Sequence, residues 1–326
     1  MSEFKVFVTR QLPPTSLERL AQHCDLEVWD DFLPPEYEIV LGKVGELDGL
    51  LCLLTDQIDA ALMDAGSNLK VISNMAVGFD NIDIPAASQR RIPVGNTPGV
   101  LTQTTADFAF ALLMAAARRI AEGQRYVQNG HWLTWHPTVL SGQDVYGATL
   151  GIIGCGRIGA AVMCRAQGFD MRILVNSLET EEEVRQLGGE KVSLDELLAA
   201  SDFVSLHVPL TDETHHLISE RELAKMKPTA ILINTARGSV LDPKALYAAL
   251  KDGQILAAAL DVTDPEPIPA DDPLLALDNC LIVPHIASAS VATRAKMAEM
   301  AVDNLIAGLR GERLPTCVNP EIYEQS

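Results

Sequence analysis

The chain has 326 residues, with 25 Lys or Arg against 44 Asp or Glu, a formal net charge of −19. A polyanion needs a basic face, so this balance excludes a nucleic-acid binder and weighs against adhesion to anionic membranes. Compact domains hold about 100–200 residues, so the length implies two.

An apolar content of 48% is that of a globular chain rather than a disordered acidic tail. The longest apolar run, Phe108–Ala117, lies between Asp107 and Arg118. A bilayer span takes about 20 residues, so this run reads as a buried helix. No signal-peptide core surrounds Glu3 and Lys5. Cys24, Cys52, Cys155, Cys164, Cys280 and Cys317 form no Cys-x-x-Cys pair. Reduced thiols in a cytoplasmic protein are expected, rather than a disulfide frame or a zinc site.

In the first hundred residues, Phe4–Thr9, Asp48–Leu54 and Leu69–Ser73 have the apolar character of strands. Thr15–His23 and Asp59–Ala65 have that of helices, with Thr15 and Asp59 as N-caps. Alternating strands and helices imply a parallel sheet covered on both faces. No phosphate-binding loop occurs here. A long helix follows from about Leu101 to Arg118. The stretch Asn129–Asp144 is irregular and holds Trp132 and Trp135 beside His131, His136 and Pro137. It is either a surface loop with aromatic anchors or an interface or pocket element, since large aromatics in a loop need something to bury them.

A second α/β run starts at Thr149. Thr149–Ile153, Met171–Val175, Phe203–Leu206, Ala230–Ile233, Leu256–Leu260 and Cys280–Val283 read as strands. Ile158–Gln167, Glu181–Leu187, Leu194–Ala199 and Asp242–Leu250 read as helices. A last helix, Val291–Gly308, follows the completed sheet and is free to return to the first domain.

The strongest local motif is Gly154-Cys155-Gly156-Arg157-Ile158-Gly159, which follows one strand and opens a helix. Gly154 permits the tight turn, Gly156 lets backbone N–H groups approach a pyrophosphate, and Gly159 lets the helix pack on the strand. The helix N-terminus adds unpaired donors and the positive end of its dipole. A dinucleotide site follows. A carboxylate about 20 residues on would hold a ribose 2′-hydroxyl. That place holds Asn176, Ser177 and Leu178, with no basic residue before Arg185. Ser177 leans towards NADPH, while Glu179, Glu181, Glu182 and Glu183 lean towards NADH. The choice stays open.

Three more segments put ionisable residues just after apolar strands: Thr235-Ala236-Arg237-Gly238, Asp264-Pro265-Glu266-Pro267 and Pro284-His285-Ile286-Ala287-Ser288. In a doubly wound sheet, ligands bind outside the carboxyl ends of strands. Taken singly, Arg237 reads equally as a surface ion-pair residue, His285 as a core or cap histidine, and Glu266 as a solvated loop acid. Their joint occurrence with a phosphate loop favours catalysis. These segments resemble those of the D-isomer-specific 2-hydroxyacid dehydrogenases, and the resemblance implies reduction of a 2-oxo acid, which requires something to hold the carboxylate, polarise the carbonyl and deliver a proton. Arg237 suits the first two tasks, with a fixed fork of donors that stays charged. His285 suits the third. Glu266 beside it would favour the imidazolium and orient the ring.

These motifs, in this order, resemble the D-isomer-specific 2-hydroxyacid dehydrogenases over essentially the whole chain. Within that family the chain is most similar to the glyoxylate/hydroxypyruvate reductases, on Asn74–Asn81, Asn96–Leu101, the Trp132–Pro137 loop, Asp261–Pro267 and Leu309–Glu312. The resemblance implies an α/β fold of two doubly wound domains. A Rossmann-type coenzyme domain, residues 101–290, would be inserted into a discontinuous flavodoxin-like substrate domain, residues 1–100 and 291–326. The active site would lie in the cleft between them, with closure excluding water.

It also implies NAD(P)H-dependent reduction of glyoxylate to glycolate and of hydroxypyruvate to D-glycerate. Arg237, Glu266 and His285 would be catalytic. Leu54, Ala76, Val77, Gly78, Arg237 and Ser288 would bind substrate, joined by Trp135 of the partner subunit in a symmetric homodimer. Thr105, Gly154, Gly156, Arg157, Ile158, Gly159, Ser177, Pro209, Thr214, Thr235, Ala236, Asp261 and His285 would surround NADP(H) or NAD(H). Asp261 would either orient the nicotinamide carboxamide or cap a turn. No metal, nucleic acid or membrane enters the reading. Cys155, where relatives carry an aliphatic residue, would add an oxidisable thiol. His207 would be scaffold, and His215 and His216 loop residues.

Alternatives remain within and outside the family. Within the family the alternative is another member, a D-lactate, formate or phosphite dehydrogenase. A phosphite enzyme would place a Lys in the 75–78 run, and a formate enzyme a Gln in place of Glu266. A dinucleotide-sensing corepressor on the same fold would need longer tails.

Overall fold

The computed structural model describes residues 4–324. The chain forms two compact units: Thr102–Ala289, and the residues up to Leu101 together with those from Ser290 onward.

The first unit carries a parallel sheet of β1 (Lys5–Val8), β2 (Asp25–Val28), β3 (Gly49–Cys52), β4 (Val71–Asn74) and β5 (Val94–Gly95), ordered β2-β1-β3-β4-β5. This is the flavodoxin-like order. β1, β3 and β4 are almost wholly buried, as their continuous apolar runs require. β2 alternates exposed and half-buried residues at the sheet edge, so its polar residues carry no strand signal. Helix Val291–Leu309 packs on β3 and β4, where Ser73 Oγ donates to Ala301 O at 2.7 Å.

The helix at Pro14–Ala21 begins one residue before the expected Thr15 cap. Pro13 is its N-cap, with no side-chain bond, and Pro14 takes the first turn, where a missing N–H costs nothing. Asp59 does cap its helix, accepting from Leu62 N–H. Helices Tyr37–Val44 and Ile84–Gln89 complete this unit without a clear signal in the sequence, the second because it is six residues long and contains a proline.

The second unit carries β6 (Thr149–Ile153), β7 (Arg172–Asn176), β8 (Glu190–Lys191), β9 (Phe203–Leu206), β10 (Ile231–Asn234), β11 (Ala257–Leu260) and β12 (Cys280–Ile282). All pair in parallel, in the order β12-β11-β10-β9-β6-β7-β8. The order reverses between β6 and β9, which is the switch point where a doubly wound sheet opens a crevice. One face is covered by Thr102–Ala117 and Arg157–Gln167 in a cluster that includes Leu113, Leu150, Ile152 and Phe203. The other is covered by Leu194–Ala200 and Pro243–Lys251 around Leu197, Leu232 and Leu246.

Helix Ile120–Gln128 has no buried residue, and the 129–144 stretch after it leaves Trp132 65% and Trp135 79% exposed. Within one chain these indoles are not buried anchors, which corrects that reading of the loop. All six cysteines are free. Among the described residues no helix is long and apolar enough to cross a membrane.

Candidate active site

The coenzyme loop sits at the switch point of the second sheet. Gly154 has φ +91°, and a Cβ there would lie 2.8 Å from the carbonyl of His207. A Cβ on Gly159 would lie 2.1 Å from Gly154 O. Both places therefore demand glycine. At Gly156 a Cβ would meet nothing within 4 Å, so open space faces the N-terminus of helix Arg157–Gln167, whose N-cap has no side-chain bond. Arg157 is exposed and Ile158 half-buried at this end.

Two hydroxyls near strand ends on the same sheet, Ser177 Oγ after β7 and Thr235 Oγ1 after β10, are buried without a hydrogen-bond partner. An open helix N-terminus, with orphaned hydroxyls after other strands of the same sheet, fits a dinucleotide. Thr214 Oγ1 donates to Pro209 O at 2.6 Å and holds that exposed proline in its turn. Thr105 is buried in helix Thr102–Ala117. His215 and His216 stack in the turn that follows Thr214.

Cys155 corrects an expectation. Its Sγ is buried 3.4 Å from Met163 Sδ, and burial pushes the thiol up to about 11. Such a group is a packing residue and not an oxidisable thiolate. His207 is scaffold: its Nε2 lies 2.8 Å from Ser205 Oγ, and burial pushes the imidazole down to about 4.

The ionisable residues gather at the carboxyl ends of β10, β11 and β12. His285 Nδ1 lies 2.5 Å from Glu266 Oε1, while Glu266 Oε2 accepts from Thr263 N–H at 3.4 Å. The carboxylate thus fixes one imidazole nitrogen and leaves Nε2 for a ligand. Asp261, 1% exposed, accepts Ile286 N–H at 2.7 Å and Ala287 N–H at 2.9 Å, and its own backbone O accepts His285 N–H. Burial raises the Asp261 carboxyl above the usual carboxylate range, and the two N–H groups offset only part of that rise. Of the two roles expected for Asp261, capping a turn is the one made within the chain, and it holds the His285 backbone at φ +50°. Ser288 closes the same turn, 9% exposed.

Asn234 steers the Arg237 loop, donating to Arg237 O at 2.9 Å and accepting from Ala236 N–H at 3.0 Å. Ser239 Oγ donates to Asp264 Oδ2 at 2.7 Å, tying this loop to the one that carries Glu266.

In the first unit, Leu54 lies in the turn after β3, and Ala76, Val77 and Gly78 in the loop after β4. The carbonyls of the three loop residues accept bonds from Thr97 N–H, Asn96 Nδ2 and Asn74 Nδ2. None of their three N–H groups donates to a described residue. Successive unpaired N–H groups make an anion-binding concavity. Sequence reasoning gives these loop residues a role, but it assigns none to the asparagines behind them, which it names only as part of the family motifs. Among the described residues no group of three metal-binding side chains occurs.

The family model "D-isomer specific 2-hydroxyacid dehydrogenase, NAD binding domain" matches residues 110–287. The chain belongs to the D-isomer-specific 2-hydroxyacid dehydrogenases. This dehydrogenase is 56% identical over 322 residues to a glyoxylate reductase of Korarchaeum cryptofilum, covering 98% of this chain and 97% of that one. Among solved structures it is similar to the TT0316 protein of Thermus thermophilus, with TM-score 0.91 and 47% identity over 96% of this chain and 99% of the other. It is also similar to the NADPH-dependent glyoxylate/hydroxypyruvate reductase of Sinorhizobium meliloti, solved with NADP and malonate. That match has TM-score 0.88 and 32% identity over 98% of both chains.

Proposed function

We propose that the dehydrogenase reduces glyoxylate to glycolate and hydroxypyruvate to D-glycerate with NAD(P)H. The observation that carries the reading is the His285–Glu266 pair, at the carboxyl ends of the same sheet that carries Arg237 after β10 and an open dinucleotide loop. A relative named glyoxylate reductase at 56% identity supports the substrate.

Bound nicotinamide supplies the hydride. The backbone N–H groups of Ala76, Val77 and Gly78 hold the substrate carboxylate, with Leu54 and Ser288 lining the reacting end. Arg237 holds the same carboxylate and polarises the carbonyl as charge grows on its oxygen. His285 delivers a proton from Nε2, with Nδ1 held by Glu266. Asp261 keeps the His285 turn in place and has lone pairs left for a carboxamide. Gly154, Gly156, Arg157, Ile158 and Gly159 take the pyrophosphate. Thr105, Ser177, Pro209, Thr214, Thr235 and Ala236 line the rest of the coenzyme site. In this reading residues 101–290 bind coenzyme, and residues 1–100 with 291–326 bind substrate.

Coenzyme choice leans to NADH. Arg185 pairs with Glu182, and Lys191 donates to Glu179 O. These are the first two cations after β7 in sequence, and both are engaged, so neither is free to meet a 2′-phosphate. The exposed Trp132 and Trp135 support a homodimer in which Trp135 of the partner subunit reaches the substrate. The six free thiols suit a cytoplasmic location.

Steady-state assays of glyoxylate and hydroxypyruvate with each coenzyme test the reading. Turnover in at least one of these combinations is expected, and none in any would sink the substrate assignment.

A further inference from the structure

The Ala76–Gly78 loop is gripped from behind. Thr97 N–H donates to Ala76 O at 2.8 Å, Asn96 Nδ2 to Val77 O at 2.8 Å, and Asn74 Nδ2 to Gly78 O at 3.1 Å. A trans peptide is planar, and its N–H points opposite its C=O. Holding Ala76 O therefore aims the Val77 N–H, and holding Val77 O aims the Gly78 N–H. Three consecutive carbonyls turned inward leave the amide hydrogens turned out.

The grip extends to the next strand. Asn74, fully buried, also donates to Asn81 Oδ1 at 3.1 Å. Asn81 Nδ2 donates in turn to Leu53 O at 3.0 Å and Asp56 O at 2.9 Å, the two ends of the turn that carries Leu54. One side-chain hub thus spans both walls of the carboxylate site, the β3 turn and the β4 loop. Asn96 is itself fixed. Its backbone O accepts from Asn304 Nδ2 at 3.0 Å and Thr316 Oγ1 at 2.7 Å, and Asn304 is fully buried on the last helix.

We propose that Asn74, Asn81 and Asn96 are positioning residues that aim the Val77 and Gly78 amides and set their distance from Leu54. Through these amides they set the enzyme's affinity for the carboxylate of its 2-oxo acid. The inference rests on the reading of this loop as the carboxylate site. A carboxylate is held alike in the ground state and the transition state. Loosening its amides removes uniform binding, which raises KM and leaves kcat.

The test compares Asn96→Ala and Asn81→Ser with Asn319→Ala. Asn319 is also fully buried, accepts from Val94 N–H at 2.9 Å and donates to Ile92 O at 2.9 Å, but does not touch the loop. KM for glyoxylate and the inhibition constant of oxalate should both rise on the order of 10-fold or more in Asn96→Ala and Asn81→Ser, as for lost bonds to a charged ligand. In these variants kcat and the coenzyme Kd, measured by nucleotide fluorescence, stay near wild type. Asn319→Ala should lower Tm and leave KM and the oxalate constant unchanged.

Variants that keep wild-type KM and oxalate binding would overturn the inference while leaving the activity standing. So would a parallel fall in kcat, coenzyme binding and Tm, which marks a purely structural role. A wild-type enzyme that turns over no 2-oxo acid would remove the underlying reading, and this inference with it.

Discussion

His285 Nδ1 and Glu266 Oε1 lie 2.5 Å apart, joining two loops that leave adjacent strands, β11 and β12, 19 residues apart in sequence. The contact fixes which ring nitrogen faces the protein and so which one is left for chemistry. It also places a negative charge where a protonated ring would need one.

Glu266→Gln keeps the shape and removes the charge. We expect kcat for glyoxylate reduction to fall by about 100-fold, the scale set by losing a general acid's partner. Coenzyme affinity and Tm should stay unchanged, because the side chain is partly exposed on a loop and the isosteric amide still accepts from the ring. Stopped-flow turnover with parallel coenzyme titration checks this. Full activity in Glu266→Gln would falsify the role of the negative charge.

Asp261→Asn separates holding the loop from charging the histidine. The carboxylate accepts two backbone N–H groups, one on each oxygen. An amide can accept only one and turns a donor on the other, a loss of about 1–3 kcal/mol for a buried group. Tm should fall together with kcat, unlike in Glu266→Gln. Calorimetry beside the assay distinguishes the two variants, and an Asp261→Asn protein of wild-type Tm would contradict the bonding described.

How much is legible in the sequence follows from how local each feature is. The coenzyme loop is readable because strand, glycines and helix are contiguous, and Gly154 and Gly159 are dictated by clashes within that segment and its neighbouring strand. The long buried strands are readable as apolar runs. Two-residue β5 and β8 carry no periodicity and exist only through their neighbours. The asparagine hub is not legible: Asn81 meets Leu53 and Asp56, Asn74 meets Asn81, and Asn96 meets Val77 only because the strand order sets β3, β4 and β5 side by side. Cys155 misleads in sequence because its reactivity depends on burial against Met163.

Leu178→Arg probes coenzyme choice. Leu178 is fully exposed next to Ser177, and the nearby cations Arg185 and Lys191 are engaged. A guanidinium there would meet a 2′-phosphate, and one charge-assisted contact of about 1.5–3 kcal/mol is worth on the order of 10-fold or more in binding. Wild type should bind NADH more tightly than NADPH, and the variant should shift the ratio of the two Kd values towards NADPH by that amount. Fluorescence titration reads it directly, and an unmoved ratio would exclude this edge as the 2′ site.

The apolar surface after Ala117 calls for a partner. Ile120, Val127, Trp132, Leu133 and Trp135 are all exposed on one helix and the stretch behind it. We propose that this exposed apolar stretch is a dimer face, because large apolar side chains left exposed along one stretch of chain mark interaction sites. Light scattering should give a dimer mass, and Trp132→Ser with Trp135→Ser should shift it towards monomer and raise KM for hydroxypyruvate. A wild-type monomer with full activity would refute both the dimer and the indole's role at the substrate.

His207 predicts a specific pH dependence of stability. Unfolded, its imidazole titrates near 6.5; folded, burial holds it near 4. Between those values the unfolded chain binds a proton that the folded chain refuses. Stability from this group is therefore complete above about pH 6.5, falls as the pH drops, and levels off below about 4. The gap corresponds to about 3 kcal/mol at most. His207→Gln keeps a partner for Ser205 Oγ, which lies 2.8 Å from Nε2, and removes the titration. Urea midpoints taken from pH 7 to pH 4 should fall more steeply for wild type than for the variant, because acidic groups common to both cancel in the difference. Parallel curves would mean that the imidazole protonates in the folded chain, and that the coenzyme-side strand end is wetter than its burial implies.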